Sequence, residues 1–174
     1  DALSSLSKGR YFMFPIKKWG LDWWTKTANS IEISQLVSNS LLIAFFVTIL
    51  STIIAFCGAL AFARFSWKGK KMFQKIILMP VFFPQPVLGL ALLLWFNAIG
   101  IPLSWHTAVF AHLVWITPVV TLVIAIQVYG FDPTLEDAAK DLGATPFQIF
   151  WRVTLPLLWP GIWSGMLFAF LLSW

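Results

Sequence analysis

Charge is scarce in this chain: only 11% of its 174 residues are Asp, Glu, Lys or Arg, against 59% hydrophobic and 17% aromatic. A soluble domain carries nearer a quarter charged residues, so the deficit excludes an ordinary water-soluble fold and points to lipid around much of the surface. Cysteine is almost absent. The single Cys57 lies inside an apolar run between Phe56 and Gly58, which excludes a disulfide framework and leaves a small packing residue. The only histidines, His106 and His112, stand six residues apart. That spacing separates them by about 240° around a helix, so they do not share a face as metal ligands. No carboxylate falls within any long apolar run, which leaves a proton relay or an intramembrane acid-base pair without members. A phosphate-binding Gly-Lys-Ser/Thr loop is missing too, since Gly69 and Lys70 are followed by Lys71. The polar opening, Asp1 to Arg10, lacks the apolar core of a signal peptide, so targeting is expected to come from the spans or from residues outside this sequence. Net charge is +5. The cations cluster beside apolar runs, where lipid phosphates are nearer anions than nucleic acid, so no nucleic-acid partner is expected.

Four charge-free runs remain: Leu36 to Phe62, Ile76 to Ala98, His106 to Val128 and Leu157 to Trp174. Each approaches or exceeds the roughly 20 residues that cross hydrocarbon as a helix. The expected fold is therefore all-α, a polytopic transmembrane helical bundle. An amino-terminal segment, 1–35, precedes a membrane domain at 36–174. Between the first two runs lie Arg64, Lys68, Lys70, Lys71 and Lys75 with no acid among them, which places that loop in the cytoplasm by the positive-inside rule. The first 35 residues also hold Lys8, Arg10, Lys17, Lys18 and Lys26, but spread over a longer stretch and diluted by Asp1, Asp22 and Glu32. Helix parity then puts 1–35 outside and 129–156 inside. The first run carries small residues in four-residue steps at Ser51, Ala55 and Ala59, suited to close helix packing in lipid. The second carries Pro80, Pro84 and Pro86, and the third Pro118, residues that kink a helix or are tolerated in packing.

The segment 129–156 is the most informative. Asp132 and Pro133 form a cap and first-turn pair for a helix to Leu142, and Gly143 suits a left-handed stop. Thr145, Pro146 and Gln148 then repeat cap, first-turn proline and capping box for a second helix, which Leu155 and Pro156 are expected to end. Acids gather on the first helix at Glu136, Asp137 and Asp141, and the second is expected to expose Phe147, Phe150 and Trp151.

Here the chain resembles the permeases of binding-protein-dependent ABC transporters. Their loop motif reads Glu-Ala-Ala, three residues, Gly, nine residues, Ile, one residue, Leu-Pro. Asp137, Ala138 and Ala139 fill the first positions, Gly143 follows at the right spacing, Val153 stands at the Ile position, and Leu155 and Pro156 close the motif. Asp for Glu and Val for Ile are the two departures. Asn39, Ser40 and Leu41, expected to open the first span, the Pro80–Pro86 region, and Pro160 with Gly161 also resemble the family. The ending Phe170 to Trp174 and the stretch with Trp23 and Trp24 look most like permeases of the spermidine and putrescine type.

The resemblance implies an inner-membrane transport subunit rather than an enzyme. It implies ABC ATPase subunits that supply ATP hydrolysis, an identical or different second permease, and an external solute-binding protein, with no cofactor or metal held by this chain. It implies that Glu136, Asp137, Ala138, Ala139, Gly143, Val153, Leu155 and Pro156 form the ATPase-coupling site. Family members have six helices, so the first and last are expected to lie outside this sequence. A polyamine-like solute fits best; a permease for an inorganic ion, amino acid or sugar and a passive channel are the alternatives. Gln85, Trp95, Asn97, Trp115 and Gln127 are candidate substrate-pathway residues, though polar and aromatic groups at membrane depth more often pack between helices.

Overall fold

The computed structural model describes Gly20 and residues 22–174, and every regular element among them is helical. The chain divides into two compact units, 1–41 and 42–174, with the boundary inside a helix. The Lys8 to Lys18 cations lie outside the described residues. In the first unit, α1 covers Asp22–Ala28 and α2 (Ile31–Ala59) begins. The start of α2 precedes the charge-free run because Glu32 is an asset there: an acid in the first turn faces the positive end of the helix dipole. The Ser30 hydroxyl accepts from the Ile33 N–H at 3.4 Å and helps close that end. Asn39, Ser40 and Leu41 consequently sit within α2 and do not open it.

In the second unit α2 ends in a π-helical turn, Leu60–Arg64. Then come α3 (Lys70–Leu78), a 3-10 turn (Met79–Phe82) and α4 (Gln85–Ala98). The predicted single span at 76–98 is not straight: α3 with its 3-10 turn meets α4 at 102°. Pro84 accounts for the break: it lacks the N–H that would bond back one turn, and Phe83 before it is extended, with ψ 138°, while Pro86 falls in the first turn of α4, where no donor is needed. Next come α5 (Trp105–Tyr129), α6 (Thr134–Asp141) and α7 (Pro146–Ile149). A second π-helical turn, Phe150–Thr154, leads into α8 (Leu155–Ser173). By length and composition Ile31–Ala59, Trp105–Tyr129 and Pro146–Ser173 can each cross a membrane, and the bent pair makes a fourth crossing if it counts as one.

Leu155 and Pro156 do not end a helix, contrary to the sequence expectation. The π turn explains why: its wider ring, with the Leu155 N–H bonded to the Phe150 carbonyl, carries the chain past a proline that needs no donor in the first turn of α8. Pro118 likewise sits buried inside α5 without stopping it.

The core is built around α5. Ile116, Val120 and Ile124 are fully buried against Val47, Ala55 and Ala59 of α2 and Leu158, Ile162 and Ala169 of α8. Small residues set the spacing. A Cβ on Gly161 would stand 2.5 Å from the Gln127 Cβ, and one on Gly165 2.9 Å from Ile124 Cγ1, so α8 approaches α5 as only glycine permits. Some hydroxyls inside the spans bond back to their own helices, Thr48 to the Ala44 carbonyl and Thr121 to that of Thr117, each at 2.7 Å. Phe45, Ile53, Leu94, Phe110, Ile126, Trp163 and Leu167 point outward, the surface that lipid covers in a charge-poor chain.

Candidate functional site

The loop between α5 and α8 builds itself from its own caps. Asp132 Oδ1 accepts from the Thr134 backbone N–H at 2.9 Å and starts α6. Hydrogen bonds from the Thr134 backbone and side chain hold the Asp132 carboxyl below its ordinary range. At the other end the Gly143 N–H donates to Lys140 O at 2.8 Å and the Ala144 N–H to Ala139 O at 3.0 Å. These are the paired bonds of a Schellman motif, and they need the left-handed conformation that Gly143 adopts, φ +82°. Thr145 and Gln148 then form the expected capping box, each side chain accepting from the other's backbone N–H, at 2.9 and 3.4 Å.

The two neighbouring acids of α6 face opposite ways. Asp137 is exposed and pairs along the surface with Lys140 at 2.7 Å. Glu136 is buried: Arg64 donates to its Oε2 and the Thr154 hydroxyl to its Oε1. Arg64, at the end of the α2 π turn, also lies over the Phe131 ring, 5.5 Å from its centroid. A buried carboxylate is tolerated only when paired and hydrogen-bonded, and removing one partner of such a pair costs about 3–5 kcal/mol. Neither Arg64 nor Thr154 was singled out by the motif. An acid beside the motif's first position and a lone Arg at the end of the first apolar run were the available signals, but only the fold brings them together.

The loop exposes large apolar side chains among its polar ones. Leu142 is 89% exposed, Phe147 72% and Trp151 53%. Phe150 departs from the expectation of exposure: it is half-buried, its ring 6.4 Å from that of Phe56. Ala139, Leu142, Gly143, Gln148, Arg152 and Val153 help line an open groove of about 320 Å³. Ala138 is exposed, Leu155 half-buried and Pro156 exposed at the foot of α8.

The candidate pathway residues are spread out. Gln85 opens α4, and Trp95 and Asn97 lie near its far end, about 18 Å along the axis at 1.5 Å per residue. Trp115 is half-buried against the core of α5, and the Gln127 side-chain amide donates to the Leu157 carbonyl at 3.2 Å, bridging α5 and α8. His112 Nδ1 lies 3.0 Å from Ser173 Oγ, another α5–α8 contact, while the His106 ring stacks on Trp105 at 3.6 Å.

A polytopic helical membrane protein with a self-capped, apolar-faced loop pinned at one carboxylate defines the class. Residues 52–174 match the model of the binding-protein-dependent transport system inner membrane component, and the chain belongs to that family. It is 32% identical over 170 residues to the spermidine/putrescine transport system permease protein PotC of Haemophilus influenzae, covering 98% of this chain and 66% of that protein. It is 33% identical over 162 residues to the putrescine transport system permease protein PotI of Escherichia coli K12, covering 89% and 58%. A molybdenum transport system permease protein, ModB of H. influenzae, is 31% identical over 154 residues, covering 80% and 66%. The chain thus spans between about half and two thirds of the length of these curated relatives.

Proposed function

We propose that this chain is a membrane-spanning subunit of an ATP-driven importer, with the 129–156 loop as the docking element for a separate ATPase. The observation that carries the reading is the loop itself: a motif-bearing pair of capped helices whose outer face exposes Leu142, Phe147 and Trp151 while its inner face is tied down through Glu136. Large apolar side chains exposed among polar ones, with the Phe147 and Trp151 ring centroids 6.1 Å apart, suit a protein interface. Asp137, Ala138, Ala139, Gly143 and Val153 frame that face, and Leu155 and Pro156 connect it to α8. A second permease completes the translocation path and an external binding protein delivers solute. ATP-driven closure of the ATPases shifts the spans between inward-open and outward-open states.

The loop is cytoplasmic in this reading. The acid-free cluster Arg64 to Lys75 supports that side, and the Arg64–Glu136 contact supports a shared side for the cluster and the loop. The solute is a polyamine, on the names of the relatives matched most fully. Trp95 and Trp115 can hold a protonated amine by cation–π attraction worth about 0.5–2 kcal/mol, with Gln85, Asn97 and Gln127 as polar contacts. Similarity to a molybdenum permease favours one second reading, an oxyanion solute.

The full-length permease, its ATPase, partner permease and binding protein in proteoliposomes should take up radiolabelled spermidine only with ATP. Competition by molybdate but not putrescine would favour the oxyanion, and uptake without ATP or ATPase would make the protein a channel. Asp137→Lys should reduce ATPase copurification while membrane levels hold.

A further inference from the structure

Glu136 does something the docking surface does not require. It is buried while Leu142, Phe147 and Trp151 are exposed, and each of its carboxylate oxygens has a different partner. Arg64 is the last residue of the π turn that ends α2, and Thr154 is the last residue of the π turn that starts α8. One side chain therefore joins α6 to the ends of two core helices at once. The sequence around α6 explains why a tie is needed. Gly130 and Gly143 flank the helix, one before its cap and one at the bend into α7, and both are held by local backbone hydrogen bonds, so a glycine on each side of α6 offers the least resistance to turning once those bonds open. The Arg64 guanidinium also lies over the Phe131 ring, 5.5 Å from its centroid, a second contact on the arginine besides the carboxylate.

We propose that Arg64, Glu136 and Thr154 form a transmission latch that makes α6 move as one body with the loop-side ends of α2 and α8. This rests on the permease reading above. A push on the outer face of the loop then displaces the spans, whereas an unlatched α6 turns about its flanking glycines and dissipates the stroke. The three residues act as positioning residues and touch neither solute nor nucleotide.

The test uses the whole transporter in proteoliposomes and reads solute moved per ATP hydrolysed. Thr154→Val keeps the side-chain shape but drops the hydroxyl, Thr154→Ser restores it, and Glu136→Gln keeps shape while removing charge. Thr154→Val and Glu136→Gln should each lower the ratio by about fivefold or more, the low end of ordinary coupling effects, with the ATPase still copurifying. Thr154→Ser should stay close to wild type. An unchanged ratio in both variants overturns the latch, as does loss of the ATPase from the complex, which would make Glu136 a docking residue. If Glu136→Gln fails to reach the membrane, the Thr154 pair decides, because neither exchange removes a charge. Wild-type uptake driven by ATP with unaltered variants sinks the latch alone; a wild type without ATP-driven uptake sinks the permease reading first.

Discussion

Gly143 shows how much one residue decides in this loop. A Cβ built there meets nothing within 4 Å, so the position is not glycine for lack of room. Its φ of +82° is the reason, since an L-residue held in the left-handed region is strained by about 1–2 kcal/mol. Asn tolerates that region better than other side chains. Gly143→Val should therefore deform the bend between α6 and α7 and lower ATP-driven uptake sharply, Gly143→Asn should retain most of it, and both should reach wild-type levels in the membrane. Equal uptake by the two variants would mean that the left-handed bend does not matter. Glu136 and Asp137 make the complementary point. Adjacent acids with the same chemistry differ because α6 turns one into the interior beside Arg64 and leaves the other with Lys140, where an exposed ion pair is worth about 0–1 kcal/mol.

Among the described elements, α5 and α8 approach closely, and glycine at the crossing makes it so. Gly161 faces the Gln127 Cβ, an atom too near the backbone to swing aside, whereas Gly89 in α4 has open space where its Cβ would be. Gly161→Ala should lower thermal stability in detergent by about 1–3 kcal/mol through overpacking. Gly89→Ala should be neutral or stabilising by about 0.5–1 kcal/mol through helix propensity. A thermal-shift series on the two variants checks the contrast, and equal shifts would contradict the close approach. Most of this architecture was legible in the sequence, because charge-free runs report lipid exposure directly: the runs at 36–62, 106–128 and 157–174 overlap α2, α5 and α8 almost throughout. The break in the run at 76–98 was less so, since proline count announces a kink but not whether neighbours rescue the freed carbonyls; here the chain turns through 102°. Continuity through Pro156 was hidden for the opposite reason, as a π turn leaves no residue-type signature. The loop's caps were fully legible, being local chemistry. The Glu136 contacts were not, because they join residues 72 and 18 positions apart in the chain.

For the whole molecule, the proposed orientation in the membrane rests on two arguments of different kinds, and they can be separated. The cation cluster Arg64 to Lys75 argues for the cytoplasmic side through the positive-inside rule, a statistical bias of insertion. The Arg64–Glu136 contact is geometric: whichever side holds the end of α2 also holds α6, so the intervening chain crosses an even number of times. Single cysteines replacing Lys26, Lys68 and Asp141, in a Cys57→Ala background and without the ATPase, can be probed with an impermeant thiol reagent. In intact cells position 26 should label, while positions 68 and 141 should label only after permeabilisation. Labelling of 68 and 141 with protection of 26 would reverse the orientation yet keep the contact, since the two loop positions still agree. Opposite behaviour of 68 and 141 would be the graver result. It would separate Arg64 from Glu136 by the thickness of the bilayer, and the bent segment Lys70–Ala98 could then no longer bring the chain back across as one crossing.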